Sequence, residues 1–94
     1  MPAIQLRGKS IVAVAKDIAD GFFTINPLTL KRFDDAAFQA LHHQLKKVQM
    51  EVRNEKFPLH DVLGIRNRNI RLQRLHQALV ILEHSAKDRK VILS

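Results

Sequence analysis

The feature that most constrains the fold is a run of apolar residues between positions 65 and 86, at steps of seven, three and four. The run consists of Ile65, Leu72, Leu75, Leu79, Leu82 and Ala86. Such steps return to one side of an α-helix, and from Leu72 onwards they keep the heptad repeat of helices that pair along an apolar seam. The pattern therefore predicts a long amphipathic helix with a helical partner.

A second apolar stripe lies upstream and has matching helical spacing. It consists of Phe38, Leu41, Leu45, Val48 and Val52. Pro58 and Gly64 lie between the stripes and indicate a turn, because proline lacks the N–H that a helix interior needs and glycine favours chain reversal. The predicted fold class is all-α, with an antiparallel helical hairpin of two long helices. The residues expected to be buried at its seam are Leu45, Val48, Leu75, Leu79 and Leu82.

The segment before the first long helix is less regular. Ser10 is a typical N-cap and Gly21 a typical helix stop, with apolar residues at helical spacing between them. The β-branched residues of Ser10–Ala15 leave a strand as the alternative, but the alanines and charged residues favour a helix. The expected order is a loose arm over 1–9, a short helix over 10–20, an irregular connector over 21–33, a long helix over 34–54, a turn over 55–64 and a second long helix over 65–90.

Length and composition restrict the class of protein. A chain of 94 residues is expected to form one small domain, whose core often gains stability from association. The absence of cysteine excludes disulfides and thiol catalysis and fits a reducing cytoplasm. The longest uninterrupted apolar runs, Ile11–Ala15 and Ala78–Leu82, are far shorter than the ~20 residues that span a bilayer. We therefore expect a cytoplasmic protein without a signal peptide or a membrane partner.

The middle of the second long helix predicts a further contact. Ala78–Leu82 is apolar around the whole helix, and one partner helix covers only one side of it. Ile70 and Ile81 lie within about 20° of each other on the side away from the seam. Either the N-terminal helix or a second copy of the chain could cover that side, and we expect a homodimer in the form of a helical bundle. The candidate dimer contacts are Ile70, Gln77, Val80 and Ile81.

Positive charge is concentrated where the hairpin is expected to turn. Lysine and arginine number 16 against 9 acidic residues, for a formal charge of +7. Such a cluster attracts nucleic acid or another anionic partner, and guanidinium groups bind two oxygen atoms at once. The alternative is a solvated face with acidic neighbours, and the absence of tyrosine and tryptophan removes two residue types that stack on bases. The candidate anion or nucleic-acid contacts are Lys46, Lys47, Arg53, Lys56, Arg66, Arg71 and Arg74.

The sequence predicts no metal site, no cofactor and no catalytic site. Its five histidines include no pair at the four-residue spacing that aligns two ligands on one helix face. His42 and His76 lie beside the two apolar stripes, where hydrogen bonds at the edge of the core are expected instead. The three glycines are isolated, so no glycine-rich phosphate loop is present, and no nucleophile stands with a base in a recognisable pattern.

These patterns favour a non-enzymatic protein–protein interaction module, such as an adaptor, assembly or regulatory protein, that binds through its helix faces. The alternative is a nucleic-acid-binding protein that uses the basic end of the hairpin. Salt distinguishes the two, because binding to nucleic acid weakens steeply as the salt concentration rises, whereas apolar helix pairing does not.

Overall fold

A computed structural model describes residues 5–6 and 9–93, and this part of the chain is helical apart from one very short strand pair. The helices are α1 (Ile11–Asp20), α2 (Pro27–Leu30), α3 (Asp35–Arg53) and α4 (Val62–Asp88). The strands β1 (Gln5–Leu6) and β2 (Lys9–Ser10) pair antiparallel, with Gln5 opposite Ser10. The all-α prediction is confirmed. The expected loose arm over 1–9 lies largely outside the described residues, and its described part is this extended pair.

Helix α1 is capped at its start by Ser10 and at its end by Gly21, as predicted. The Ser10 hydroxyl accepts a hydrogen bond from the Ala13 N–H at 3.2 Å. Gly21 adopts a left-handed φ of 84° and donates its N–H to the Ile18 carbonyl, while the Phe22 N–H reaches the Asp17 carbonyl. This pair of bonds is the Schellman arrangement, which a residue with a Cβ adopts poorly. The strand alternative for Ser10–Ala15 is therefore wrong.

The connector expected to be irregular over 21–33 contains a short helix, α2. Asn26 caps it, since its side chain accepts from the Thr29 N–H at 3.0 Å and the Thr29 hydroxyl accepts from the Asn26 N–H at 2.9 Å. Pro27 occupies the first helical position, where its missing N–H costs nothing. Leu30 at the end of α2 is buried and joins the core.

The two long helices have caps that explain their bounds. The Asp34 carboxylate accepts from the Ala37 N–H at 2.8 Å, so α3 begins at Asp35. The Asp61 carboxylate accepts from the Gly64 N–H at 2.9 Å, so α4 begins at Val62, three residues before the expected start. Gly64 therefore lies in the first turn of a helix and not in the preceding turn. Helix α4 ends at Asp88, before the expected end at residue 90.

The core lies where α1 packs against both α3 and α4. The five seam residues are all buried: Leu45, Val48, Leu75, Leu79 and Leu82. This confirms their predicted burial. The earlier part of the same stripe behaves differently, because Ile65 and Leu72 are only half-buried. The core therefore uses the second half of α4, and no residue of α4 before Leu75 is fully buried.

Candidate interaction surfaces

The side of α4 opposite the core exposes apolar side chains. Leu75, Leu79 and Leu82 mark the buried side, and residues about 180° from them on the helix point away from the core. Val62 is 68% exposed, Ile70 37% and Val80 51%. We call this face the outer stripe, consisting of Val62, Ile70, Gln73, Gln77, Val80 and Ile81. Three of the four candidate dimer contacts are exposed on it, whereas Ile81 is half-buried and packs against the core.

The outer stripe continues into an apolar end at the start of α4. Helix α4 has 27 residues and α3 has 19, so α4 is longer by 27 − 19 = 8 residues, or roughly 12 Å. Leu59, just before α4, is 95% exposed, and Leu63 in its first turn is 70% exposed. A shallow groove on this part of the helix is lined by Val62, Ile65, Arg66, Asn69, Ile70 and Gln73. Exposed apolar side chains thus lie beside Arg66, Asn69 and Gln73 over the start of α4.

Five of the seven candidate anion contacts are exposed cations whose side chains form no hydrogen bond or ion pair with other described residues. They are Lys46, Lys47, Arg53, Lys56 and Arg66. None of the ion pairs found within residues 5–6 and 9–93 involves them. Lys46, Lys47 and Arg53 lie within about 120° of one another on α3, facing away from the core. We call these three residues the basic face of α3.

The other two candidates, Arg71 and Arg74, are in contacts within the chain. Arg71 Nη1 donates to both carboxylate oxygens of Glu55, at 3.0 and 3.2 Å. Its Nε lies 3.5 Å from Asp20 Oδ1, so one guanidinium on α4 joins the last residue of α1 to Glu55, which follows α3. Arg68 Nη1 adds a bond of 3.0 Å to the Glu55 carbonyl. The alternative interpretation of these cations was a solvated face with acidic neighbours, and Arg71 has such neighbours. Binding of an external anion by Arg71 stays a prediction.

Arg74 lies against the C-terminal end of α1. Its Nη1 donates to the Ala19 carbonyl at 3.3 Å, which places a cation at the end of a helix where the dipole is negative. The guanidinium atoms lie 2.9–3.2 Å from the position that a Cβ on residue 21 would occupy. Glycine is thus required at position 21 for two reasons: the positive φ of the backbone and the close approach of the Arg74 guanidinium.

Arg89 has a role that sequence reasoning missed. Its Nη1 donates to the Leu30 carbonyl at 2.9 Å, and its guanidinium lies 4.6 Å from the centre of the Phe38 ring. Phe38 in turn meets Phe33 edge to face, with 6.0 Å between ring centres. Arg89 therefore ties the end of α4 to α2 and α3.

Of the two histidines expected to form hydrogen bonds at the edge of the core, only one is buried. His42 is buried, and its Nε2 lies 3.2 Å from Glu83 Oε1. The hydrogen bond predicted for His42 is confirmed, whereas His76 is exposed. No group of three histidine, aspartate or glutamate side chains comes together as a metal site within residues 5–6 and 9–93.

No protein-family model, curated protein sequence or solved structure matches this chain. Within the described residues, no helix combines the length and the apolar character that crossing a membrane requires. Evidence on the function therefore comes from the surfaces of the molecule.

Proposed function

We propose that the protein is a non-enzymatic helical interaction module that forms a homodimer through the outer stripe of α4. The single observation behind this proposal is the composition of that face. Between Val62 and Ile81, a stretch that the structure describes in full, Arg66 is the only charged residue within about 60° of the stripe's centre. In a chain with 27% charged residues, a helix face that exposes Val62, Ile70 and Val80 is typical of a contact surface.

Charge favours a stripe of this kind as the meeting surface. Two chains of formal charge +7 repel each other, so they approach best where charged side chains are few. An antiparallel crossing of two α4 helices about a twofold axis near Leu75 would place Ile70 opposite Val80 of the second copy, and Gln73 opposite Gln77. We propose that α3 and α4 act as an antiparallel hairpin, two of which pair in a four-helix bundle. The apolar end of α4 would extend the same contact.

A lysine introduced at Val80 should weaken the dimer strongly. Val80→Lys places a charge at the proposed contact, where it would be desolvated against Ile70 of the second copy. Met50→Lys is the matched control, because Met50 is 65% exposed on α3 and the added charge is the same. In sedimentation equilibrium at micromolar concentration, the unaltered chain and the Met50 variant should show twice the chain mass of 10.8 kDa, and the Val80 variant the single mass.

Two results would contradict the proposal. A single mass for the unaltered chain at several hundred micromolar would remove the homodimer. Equal dimerisation of both lysine variants would place the contact elsewhere on the molecule.

The second candidate function is binding of nucleic acid, and the basic face of α3 favours it. Lys46, Lys47 and Arg53 are exposed along about two turns near the end of α3, and acidic side chains of the described residues form no ion pair with them. Arg71 contributes less than the sequence suggested, because its charge is already opposed by Glu55 and Asp20. The basic face therefore carries this candidate function.

Glutamine at the basic face should weaken any binding to duplex DNA and flatten its salt dependence. The variant is Lys46→Gln with Lys47→Gln and Arg53→Gln, and the slope should fall by roughly 0.9 for each phosphate that the variant no longer neutralises. The control variant is Lys16→Gln with Lys31→Gln and Arg32→Gln, which removes the same charge from other exposed positions. Fluorescence anisotropy at several salt concentrations measures both. Absence of binding at low salt, or equal slopes for the two variants, would end this candidate.

A further inference from the structure

A cleft opens between the C-terminal end of α1 and the middle of α4. Its volume is about 180 Å³, which is room for several water molecules. Its apolar walls come from Ile18, Ile25 and Ala78, which are buried, and from Phe23 and Ile81, which are half-buried. Apolar side chains from three separate segments therefore converge on one small space.

Polar side chains also line this cleft. Arg74, Gln77 and Thr24 line it, and the guanidinium of Arg74 lies over Gly21 at the cleft's edge. A guanidinium has five N–H donors, and the Ala19 carbonyl takes one of them at 3.3 Å. Carboxylates are the groups that this fork binds with two parallel hydrogen bonds. A positive, donor-rich group beside apolar walls fits a ligand with a carboxylate on an apolar body.

We propose that this cleft binds a small monocarboxylate with a branched aliphatic body of about five or six carbon atoms. The cleft has room for roughly six water molecules, and an aliphatic body of that size fills a similar volume. Arg74 holds the carboxylate, and Ile18, Ile25 and Ala78 cover the aliphatic part. Asp20 precedes Gly21 of the cleft lining in the sequence, and Arg71 Nε lies 3.5 Å from its carboxylate and opposes its charge. The cleft shares Gln77 and Ile81 with the outer stripe, whereas Arg74, which would hold the carboxylate, lies outside the stripe.

Titration of the ¹⁵N-labelled protein with isocaproate, followed by NMR, tests this site. Isocaproate should cause saturable shifts centred on the amides of Gly21, Thr24 and Ile25. Isocaproamide has the same shape without the charge, and it should bind at least about tenfold more weakly, since it cannot form a charged hydrogen bond with the guanidinium. Acetate lacks the aliphatic body and should bind more weakly than isocaproate as well.

Two variants locate the site on Arg74. Arg74→Met keeps the aliphatic stem and removes the charge, and it should abolish saturation by isocaproate. Arg32→Met, at an exposed arginine that does not line the cleft, should leave binding unchanged. If the Arg74 variant fails to fold, the comparison of acid with amide on the unaltered protein decides. The proposal is overturned if isocaproate causes no saturable shift, if the amide binds as tightly, or if a folded Arg74 variant binds normally.

Discussion

Phe38→Ala is expected to lower the free energy of unfolding by about 3–5 kcal/mol, the usual cost of removing a buried aromatic ring. The Phe38 side chain is fully buried in the core, and Phe33 meets its ring edge to face at 6.0 Å. The variant leaves a cavity and also removes the ring beneath the Arg89 guanidinium, 4.6 Å away. Chemical denaturation followed by circular dichroism measures the change.

Phe22→Ala is the matched control for this variant. Phe22 is 80% exposed, so its truncation should change the free energy of unfolding by no more than about 0.5 kcal/mol. Both variants remove a phenyl ring, so the difference between their changes in the free energy of unfolding measures the effect of burial. A loss below about 1 kcal/mol for Phe38→Ala would show that its ring is not packed as described.

The periodic part of the sequence predicted the core because spacing directly determines which side of a helix a residue occupies. Leu75, Leu79 and Leu82 share a face by geometry alone, and burial followed. Spacing does not determine how far a partner helix extends. Helix α3 ends at Arg53, so the earlier stripe residues Ile65 and Leu72 are only half-buried.

Helix ends were predictable where one capping signal stood alone. Ser10 and Gly21 cap the two ends of α1, as expected. Before α4 the prediction depended on Gly64, which indicated a turn. The bond from the Gly64 N–H to the Asp61 carboxylate decided in favour of the helix. In the same way, the connector over 21–33 was expected to be irregular, but Asn26 and Pro27 begin a short helix within it.

The arginine contacts could not be predicted from spacing because their partners are distant in sequence. Glu55 precedes Arg71 by 16 positions, Ala19 precedes Arg74 by 55, and Leu30 precedes Arg89 by 59. A helical wheel places these arginines around α4 but does not say which segment packs beside each one. Only the packing of α1, α2 and α3 on α4 separates the arginines in internal contacts from Arg66, which forms no ion pair within residues 5–6 and 9–93.

Leu79→Ala is expected to lower the free energy of unfolding by about 2–5 kcal/mol, because a buried leucine leaves a cavity that its neighbours fill only partly. Val80→Ala, at the next position, removes an exposed side chain from the outer stripe. In the monomer it should change stability by no more than about 0.5 kcal/mol. Thermal or chemical unfolding of both variants at one protein concentration gives the comparison.

Protein concentration then separates the core from the dimer contact. Unfolding of a homodimer depends on concentration, so any effect of Val80→Ala should grow as the chain is concentrated. The effect of Leu79→Ala should persist at the lowest concentration, since Leu79 is 6% exposed within a single chain. If Leu79→Ala costs less than about 1 kcal/mol when dilute, its side chain lies outside the monomer core. If Val80→Ala is neutral at every concentration, the outer stripe carries no measurable part of the association.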